Sequence, residues 1–257
     1  MHVGKLCLLA GAALALVLPA AAQDQPQQRQ TVIRADGGTS GKMESIFVSP
    51  KAGAPFSFTL HTDWIRPLGN GGTFTFTNDR HIVRDGRGRI YQERWLLVPK
   101  GGEAKSFMTT IQITDPEQHT WLNCDTAAKV CDLYRYRLSS TDQFLPFTVP
   151  TSTASNGKSS HQHEDLGAST YEGEDTHGYR ETTTIEPGVM GNDQPMVTMR
   201  EFWWSPRLAI NLISIVDNPV SGKQVFTVKD LSISEPDPSY FQAPADYKVV
   251  DRREEEN

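Results

Sequence analysis

The segment PFSFTLHTDW, Pro55–Trp64, sets the architecture of the chain. Phe56, Phe58, Leu60 and Trp64 share one parity, while Ser57, Thr59, His61 and Asp63 share the other. Successive side chains of a strand point to opposite faces, so this alternation predicts a strand with one buried and one solvated face. Gly69–Gly72 then supplies a turn, after which Phe74 and Phe76 alternate with Thr73, Thr75 and Thr77. Asp85-Gly86 is a hairpin signal between His81–Arg84 and Arg89–Val98. These residues describe an antiparallel meander.

The same pattern continues at Phe107–Thr114, Thr120–Cys124 and Val130–Arg137. Residues 150–165, PTSTASNGKSSHQHED, are rich in Ser, Thr, Asn and Gly and predict a long loop or a linker between halves. Strand-like alternation resumes at Ser169–Glu172, Gly178–Ile185, Met196–Trp204, Leu208–Val216 and Gln224–Ile233, with turns such as Pro187-Gly188 and Asn218–Gly222 between. No segment forms an amphipathic helix of three or more turns. Residues 234–247 are too proline-rich for either element and are expected to run over the sheet, anchored by Tyr240, Phe241 and Tyr247. The expectation is a mainly β protein with little helix. Its hairpins form a curved antiparallel sheet, a half-barrel or open barrel, in one domain over 43–250 that the 150–165 loop interrupts.

Residues 1–22 read as an export signal. Lys5 gives a positive start, Leu6–Leu18 an apolar run, and Ala20-Ala21-Ala22 a small-residue cleavage pattern. The run is shorter than the ~20 residues a membrane span requires, so no transmembrane segment is expected after cleavage. Residues 23–42, rich in Gln, Gly and Ser, form a flexible leader in this reading. The location implied is periplasmic or secreted. Cleavage leaves 235 of 257 residues, and the formal charge of −6 becomes −7 with the loss of Lys5. Basic residues are scattered, which disfavours a nucleic-acid partner because phosphate binding needs a concentrated positive face. Cys124 and Cys131 remain, an even pair that an exported chain uses most simply as a disulfide.

Longer strings carry a resemblance. Pro55-Phe56-Ser57, the Asn70–Gly72 turn, Arg84-Asp85, Gly88-Arg89 and Glu93 resemble the first half of a family of exported proteins found mainly in acidobacterial soil bacteria. Asn-Gly-Gly stands here where that family usually has Asp-Gly. The strings REFWWSPRLAINLISIVDNPVSG and EPDPSYFQAPADYKV look like its second half and closing signature, so the likeness spans about residues 43–250. It implies no particular activity. More distantly, the hairpin pattern is similar to periplasmic lipoprotein carriers and their related sensor domains, which implies an open half-barrel whose concave face holds acyl chains. Fold alone does not fix function.

No catalytic constellation stands out. His161 and His163, with Glu164 and Asp165, are weak metal-ligand candidates, because they fall in the most loop-like part of the chain. His61 and Asp63 share a parity opposite Phe58 and Leu60, which suits solvated residues better than a catalytic pair. Glu172, Glu174, Asp175 and Glu181 are read as surface acids around a turn, not as a glycosidase pair. The Gly-rich strings lack the strand–loop–helix setting of a phosphate cradle, and Ser205 lacks a nucleophile elbow. No cofactor is implied.

The aromatics are the remaining candidates. Trp64, Trp95, Trp203 and Trp204 could line an apolar groove with Phe74 and Phe76. Trp203 and Trp204 are adjacent on a strand, so one lies off the main core. Ile213 and Ile215 likewise oppose Leu208, Ile210 and Leu212, and a strand apolar on both faces needs a cover, a partner or a ligand. The expected function is therefore a non-enzymatic exported binding protein. It would hold a hydrophobic small molecule, a lipid or an apolar partner segment at Trp64, Trp95, Trp203, Trp204, Ile213 and Ile215. The alternative is a structural or interaction protein of the cell envelope, using the same patch on another protein.

Overall fold

Phe56–Pro67 forms strand β1 in the expected alternation, with Phe56, Phe58, Leu60 and Thr62 buried and the residues between them half-buried. The computed structural model describes residues 46–136, 151–154 and 156–254; the expected export signal and leader lie outside them. Thirteen more strands follow: β2 (Thr73–Arg84), β3 (Ile90–Trp95), β4 (Val98–Pro99), β5 (Met108–Asp115), β6 (Thr120–Asp125) and β7 (Val130–Arg135), then β8 (Ser152–Thr153), β9 (Ser159–Tyr171), β10 (Glu174–Ile185), β11 (Met196–Ser205), β12 (Ile210–Asn218), β13 (Gly222–Ser232) and β14 (Lys248–Asp251). Helix among the described residues is confined to the 3₁₀ turn Pro238–Phe241.

All fourteen strands belong to one sheet, ordered β14-β7-β6-β5-β3-β2-β1-β13-β12-β11-β10-β9-β8, with β4 beside β2. Its end strands β14 and β8 do not pair with each other, so the sheet is curved and open rather than a closed barrel. Most neighbours are hairpin partners. The exceptions are β3, which pairs with β5 past the short β4 that lies beside β2; β1, which joins β13 from the far end of the chain; and β14, which adds parallel to β7. The β1–β13 contact requires close approach: Gly222 has φ +84°, and a Cβ there would sit 2.3 Å from the Ile65 carbonyl oxygen.

One sheet carries two cores on opposite faces. Ile82 and Val83 are adjacent, both fully buried, and therefore point to opposite sides. Ile82 pairs with Phe58 and joins Leu60, Leu212, Phe226 and Val228 in a core on what we term the inner face. Val83 pairs with Tyr91 and joins Ile111, Ile113 and the bonded Cys124–Cys131 pair on the outer face. The proline-rich segment covers this second core with Tyr240, Phe241 and Tyr247, as its composition led us to expect. Across the sheet, the Tyr171 hydroxyl on β9 donates to the Val228 carbonyl on β13 at 2.9 Å, over the three intervening strands of a curled sheet.

Arg84 ties the inner core to the chain around it. It is fully buried, lies 4.4 Å over the Phe56 ring, and donates to the carbonyls of Ser49, Ala54 and Leu208. Burial pushes its pKa down to about 10.

The 150–165 stretch differs from the expected loop. Ser152–Thr153 forms β8, and β9 begins at Ser159 and pairs with β10 along its length. The sequence SSHQHEDLG lacks apolar alternation because β9 lies near the sheet edge with much of both faces exposed. Backbone hydrogen bonds to β10 form without it.

Candidate functional site

Strand β2 grades from aromatic to charged along its inner face. Phe74 and Phe76 come first, then Asn78, Arg80, Ile82 and Arg84 at successive alternate positions. Phe76 packs on Phe74 at 4.7 Å and on Trp64 of β1 at 6.2 Å between ring centroids. Trp64 is held by its indole N–H, which donates to the Ser221 carbonyl at 2.7 Å, and Arg66 stacks over its ring. This aromatic group is half-buried, with Phe74 exposed, so it forms an open rim.

Next to the rim lies a buried polar band of Thr62, Asn78, Ser214 and Gln224. The Asn78 amide donates to the Trp95 carbonyl at 2.7 Å, while its Oδ1 is buried with no hydrogen-bond partner among the described residues. Arg80 follows, only 6% exposed. Arg94 of β3 lies two residues beyond Gln92, the partner of Ile82, and shares that face. Burial, and secondarily the Arg94 guanidinium, push Arg80 down to about 9. Burial lowers Arg94 as well. Arg94 is oriented by a polar ladder: its Nε donates to Gln112 Oε1 at 2.9 Å, and Gln112 Nε2 donates to Asn123 Oδ1 at 3.2 Å.

The outer face of the central strands carries a second patch. Trp203 pairs with Ile213 and Glu201 with Ile215, placing Trp203, Ile213 and Ile215 on one face with Val225 and Ile65, all half-buried. Gly178 makes room for the Trp203 ring, which lies 2.8 Å from where a Cβ would be. On the same face His61 sits between two carboxylates, 2.7 Å from Asp79 and 3.4 Å from Asp63, and Lys100 reaches Asp63 at 3.0 Å. Burial alone would raise the Asp63 pKa, but Lys100, Thr77 and His61 outweigh it and hold the carboxyl below its ordinary value.

The six apolar residues expected to form one groove are therefore divided. Trp64 stands on the inner rim. Trp203, Ile213 and Ile215 stand together on the outer face. Trp95 is also on the outer face but over β3, its indole N–H donating to Glu93 at 2.6 Å, and Trp204 is buried. The separation follows from strand parity combined with the distance between β3 and β11 in the sheet order. His161 and His163 lie on β9, not in a loop. His161 Nδ1 is 3.1 Å from the Thr183 hydroxyl, and His163 is 3.9 Å from Glu181. Two of the four acids expected at the surface are buried: Glu181, and Glu174, which is held by Ser205 and Arg207. Burial raises Glu174, but those hydrogen bonds prevail and its pKa falls below the usual value. Sequence reasoning missed Arg80 and Arg94. The available signal was a basic residue at positions sharing the parity of Phe74, Phe76 and Ile82.

No family model matches the chain, and no curated protein matches it. Among solved structures it is similar to MucB in the MucA/MucB complex of Pseudomonas aeruginosa, at 14% identity and TM-score 0.37, over 76% of this chain and 58% of that one. It is also similar to a LolA superfamily protein from Nitrosomonas europaea, at 7% identity and TM-score 0.30, over 74% of this chain and 90% of that one. LprF from Mycobacterium bovis is similar at 10% identity and TM-score 0.29, over 72% and 90%. This chain thus spans less than two thirds of the MucB chain. Superpositions this loose carry no argument about ligand or activity. Among the described residues no helix is long and apolar enough to cross a membrane.

Proposed function

We propose that this is an exported, non-enzymatic binding protein that holds a hydrophobic molecule on the inner face of its curved sheet. One observation carries the reading: Trp64, Phe74 and Phe76 form a contiguous, partly open aromatic rim beside a buried polar band. Binding sites for small molecules combine apolar walls with a few placed polar groups. The test is titration with the apolar dye N-phenyl-1-naphthylamine. Saturable binding is expected, weakened at least about tenfold by Phe76→Ser and by Trp64→Ala, and unchanged in Trp203→Ala. Unsaturable uptake, or full affinity in both rim variants, overturns the assignment.

The outer patch favours a second reading, an envelope protein that docks a partner on Trp203, Ile213 and Ile215. Loss of dye binding in Trp203→Ala alone supports that alternative.

A further inference from the structure

Three neighbouring hairpins, β2–β1, β13–β12 and β11–β10, turn at the same end of the sheet. Ile65, Lys223, Asp217, Met199 and Thr182 pair in one row across β1, β13, β12, β11 and β10. Beyond that row β1 runs two residues to Pro67, β12 one to Asn218 and β10 three to Ile185. At about 3.3 Å per residue, the three turns start within about 7 Å of one level along the strands. All three carry exposed apolar side chains. Leu68 and Phe74 flank the first turn, Val220 tops the second, and Val189 and Met190, the latter 68% exposed, top the third. Residues 67–74, 187–192 and 218–222 include no Asp, Glu, Lys or Arg, although these make up 22% of the chain. The charges just behind the tips balance, Arg66, Lys158 and Lys223 against Glu186, Asp193 and Asp217.

An apolar tip leaves water cheaply only when its backbone groups are already bonded within the turn. Here an asparagine does much of this in every turn. Asn70 Oδ1 accepts the Gly72 N–H at 3.1 Å, and the Leu68 N–H donates to the Gly72 carbonyl at 2.7 Å. Asn192 Oδ1 accepts the Met190 N–H at 3.0 Å, while its amide donates to the carbonyls of Glu186 at 3.0 Å and Gln194 at 2.7 Å. Asn218 Oδ1 accepts the N–H groups of Val220 and Ser221 at 2.9 and 3.1 Å.

We propose that this end of the sheet docks on the surface of a lipid bilayer with neutral headgroups, Leu68, Val189, Met190 and Val220 entering its apolar boundary. Convex tips about 10 Å apart, one per pair of strands, would need matched pockets on a second protein, whereas a fluid apolar layer takes them without any. The balanced charges give an anionic surface no advantage, so apolar burial carries the contact. Phe74 belongs both to these tips and to the aromatic rim, 4.7 Å from Phe76, so docking brings the mouth of the inner face to the bilayer. Docking goes beyond the binding function proposed above and is measured without a ligand.

Flotation of the exported protein with phosphatidylcholine vesicles tests the proposal. Wild-type protein is expected to bind, equally at about 0.1 and about 0.5 M NaCl. Met190→Ser should weaken binding at least about threefold, and the triple variant Leu68→Ser, Met190→Ser, Val220→Ser at least about thirtyfold. Ile233→Ser, at an exposed apolar position beyond the opposite end of β13, should bind as the wild type does. An unchanged near-UV circular dichroism spectrum verifies the fold of each variant. Undiminished binding in the triple variant, an equal loss in Ile233→Ser, or loss of binding at the higher salt overturns the proposal. Absence of wild-type flotation overturns it as well, and a dimer in sedimentation velocity that the triple variant dissociates would then assign the tips to a second copy of the chain. N-phenyl-1-naphthylamine should bind the triple variant and the wild type equally, so failure of docking leaves the binding function standing.

Discussion

Replacing Arg84 by methionine removes the group that joins the segment before β1, the β1–β2 pair and the turn before β12. Methionine retains an unbranched stem, so the change isolates the guanidinium from most of the volume it fills. The carbonyl oxygens of Ala54 and Leu208 then lose their donor, while that of Ser49 keeps the Lys51 N–H at 2.9 Å. A buried unsatisfied group costs about 1–3 kcal/mol, which sums to roughly 2–6 kcal/mol for two. Burying the cation is itself unfavourable, and its removal returns part of that cost. The expected net loss is about 2–4 kcal/mol, a large share of the 5–15 kcal/mol typical of a folded protein. Urea unfolding followed by tryptophan fluorescence measures it, and the midpoint should fall by about 1–2 M at an m-value near 2 kcal/mol/M. Arg84→Lys keeps the charge but has one ammonium for three widely spaced acceptors, so it should fall between. A loss under about 1 kcal/mol for Arg84→Met would show that the Ala54 and Leu208 carbonyls find other donors, and the reasoning would fail.

Two further outcomes test the outer core. Burial, only partly opposed by Glu93, keeps His81 below its ordinary pKa, and its ring lies 5.4 Å from Tyr240 of the covering segment. The unfolded chain therefore takes up the proton first, so stability should fall as pH drops through about 6.5 toward the depressed folded value. His81→Phe should flatten that slope in thermal melts between pH 7 and 5; an identical slope would assign it elsewhere. Replacing both Cys124 and Cys131 by alanine should cost about 2.5 kcal/mol in urea unfolding, from the entropy of an eight-residue loop. A midpoint equal to wild type would show that hairpin β6–β7 already restrains the unfolded chain.

The inner-face candidate site was only half visible in the sequence. Trp64, Phe74 and Phe76 could be singled out because aromatic residues alternating with threonine declare a face. Arg80 and Arg94 passed as scattered basic residues, because their closeness depends on the register between β2 and β3. Trp203 and Trp204 were expected in one groove, whereas Trp203 stands half-buried opposite Ile213 and Trp204 is buried opposite Asn211 beyond a bulge. Trp95 could not be separated from them, since nothing local reports how many strands lie between β3 and β11.

What the sequence determined by itself is the set of strands and hairpins, since two-residue periodicity and turn residues act between near neighbours. Strands β1, β5–β7 and β10–β13 fall where alternation placed them, and the covering role of Tyr240, Phe241 and Tyr247 followed from a proline-rich segment with large aromatic anchors. Tertiary structure decided the rest. It paired β1 with β13 across the length of the chain, extended the alternation expected at Ser169–Glu172 back to Ser159 as β9, and added β14. It also gave one sheet two cores on opposite faces, split between Ile82 and Val83. The physical reason is that both residues are equally apolar and differ only in the side to which the pleat turns them. What each side meets depends on chain segments far away in sequence.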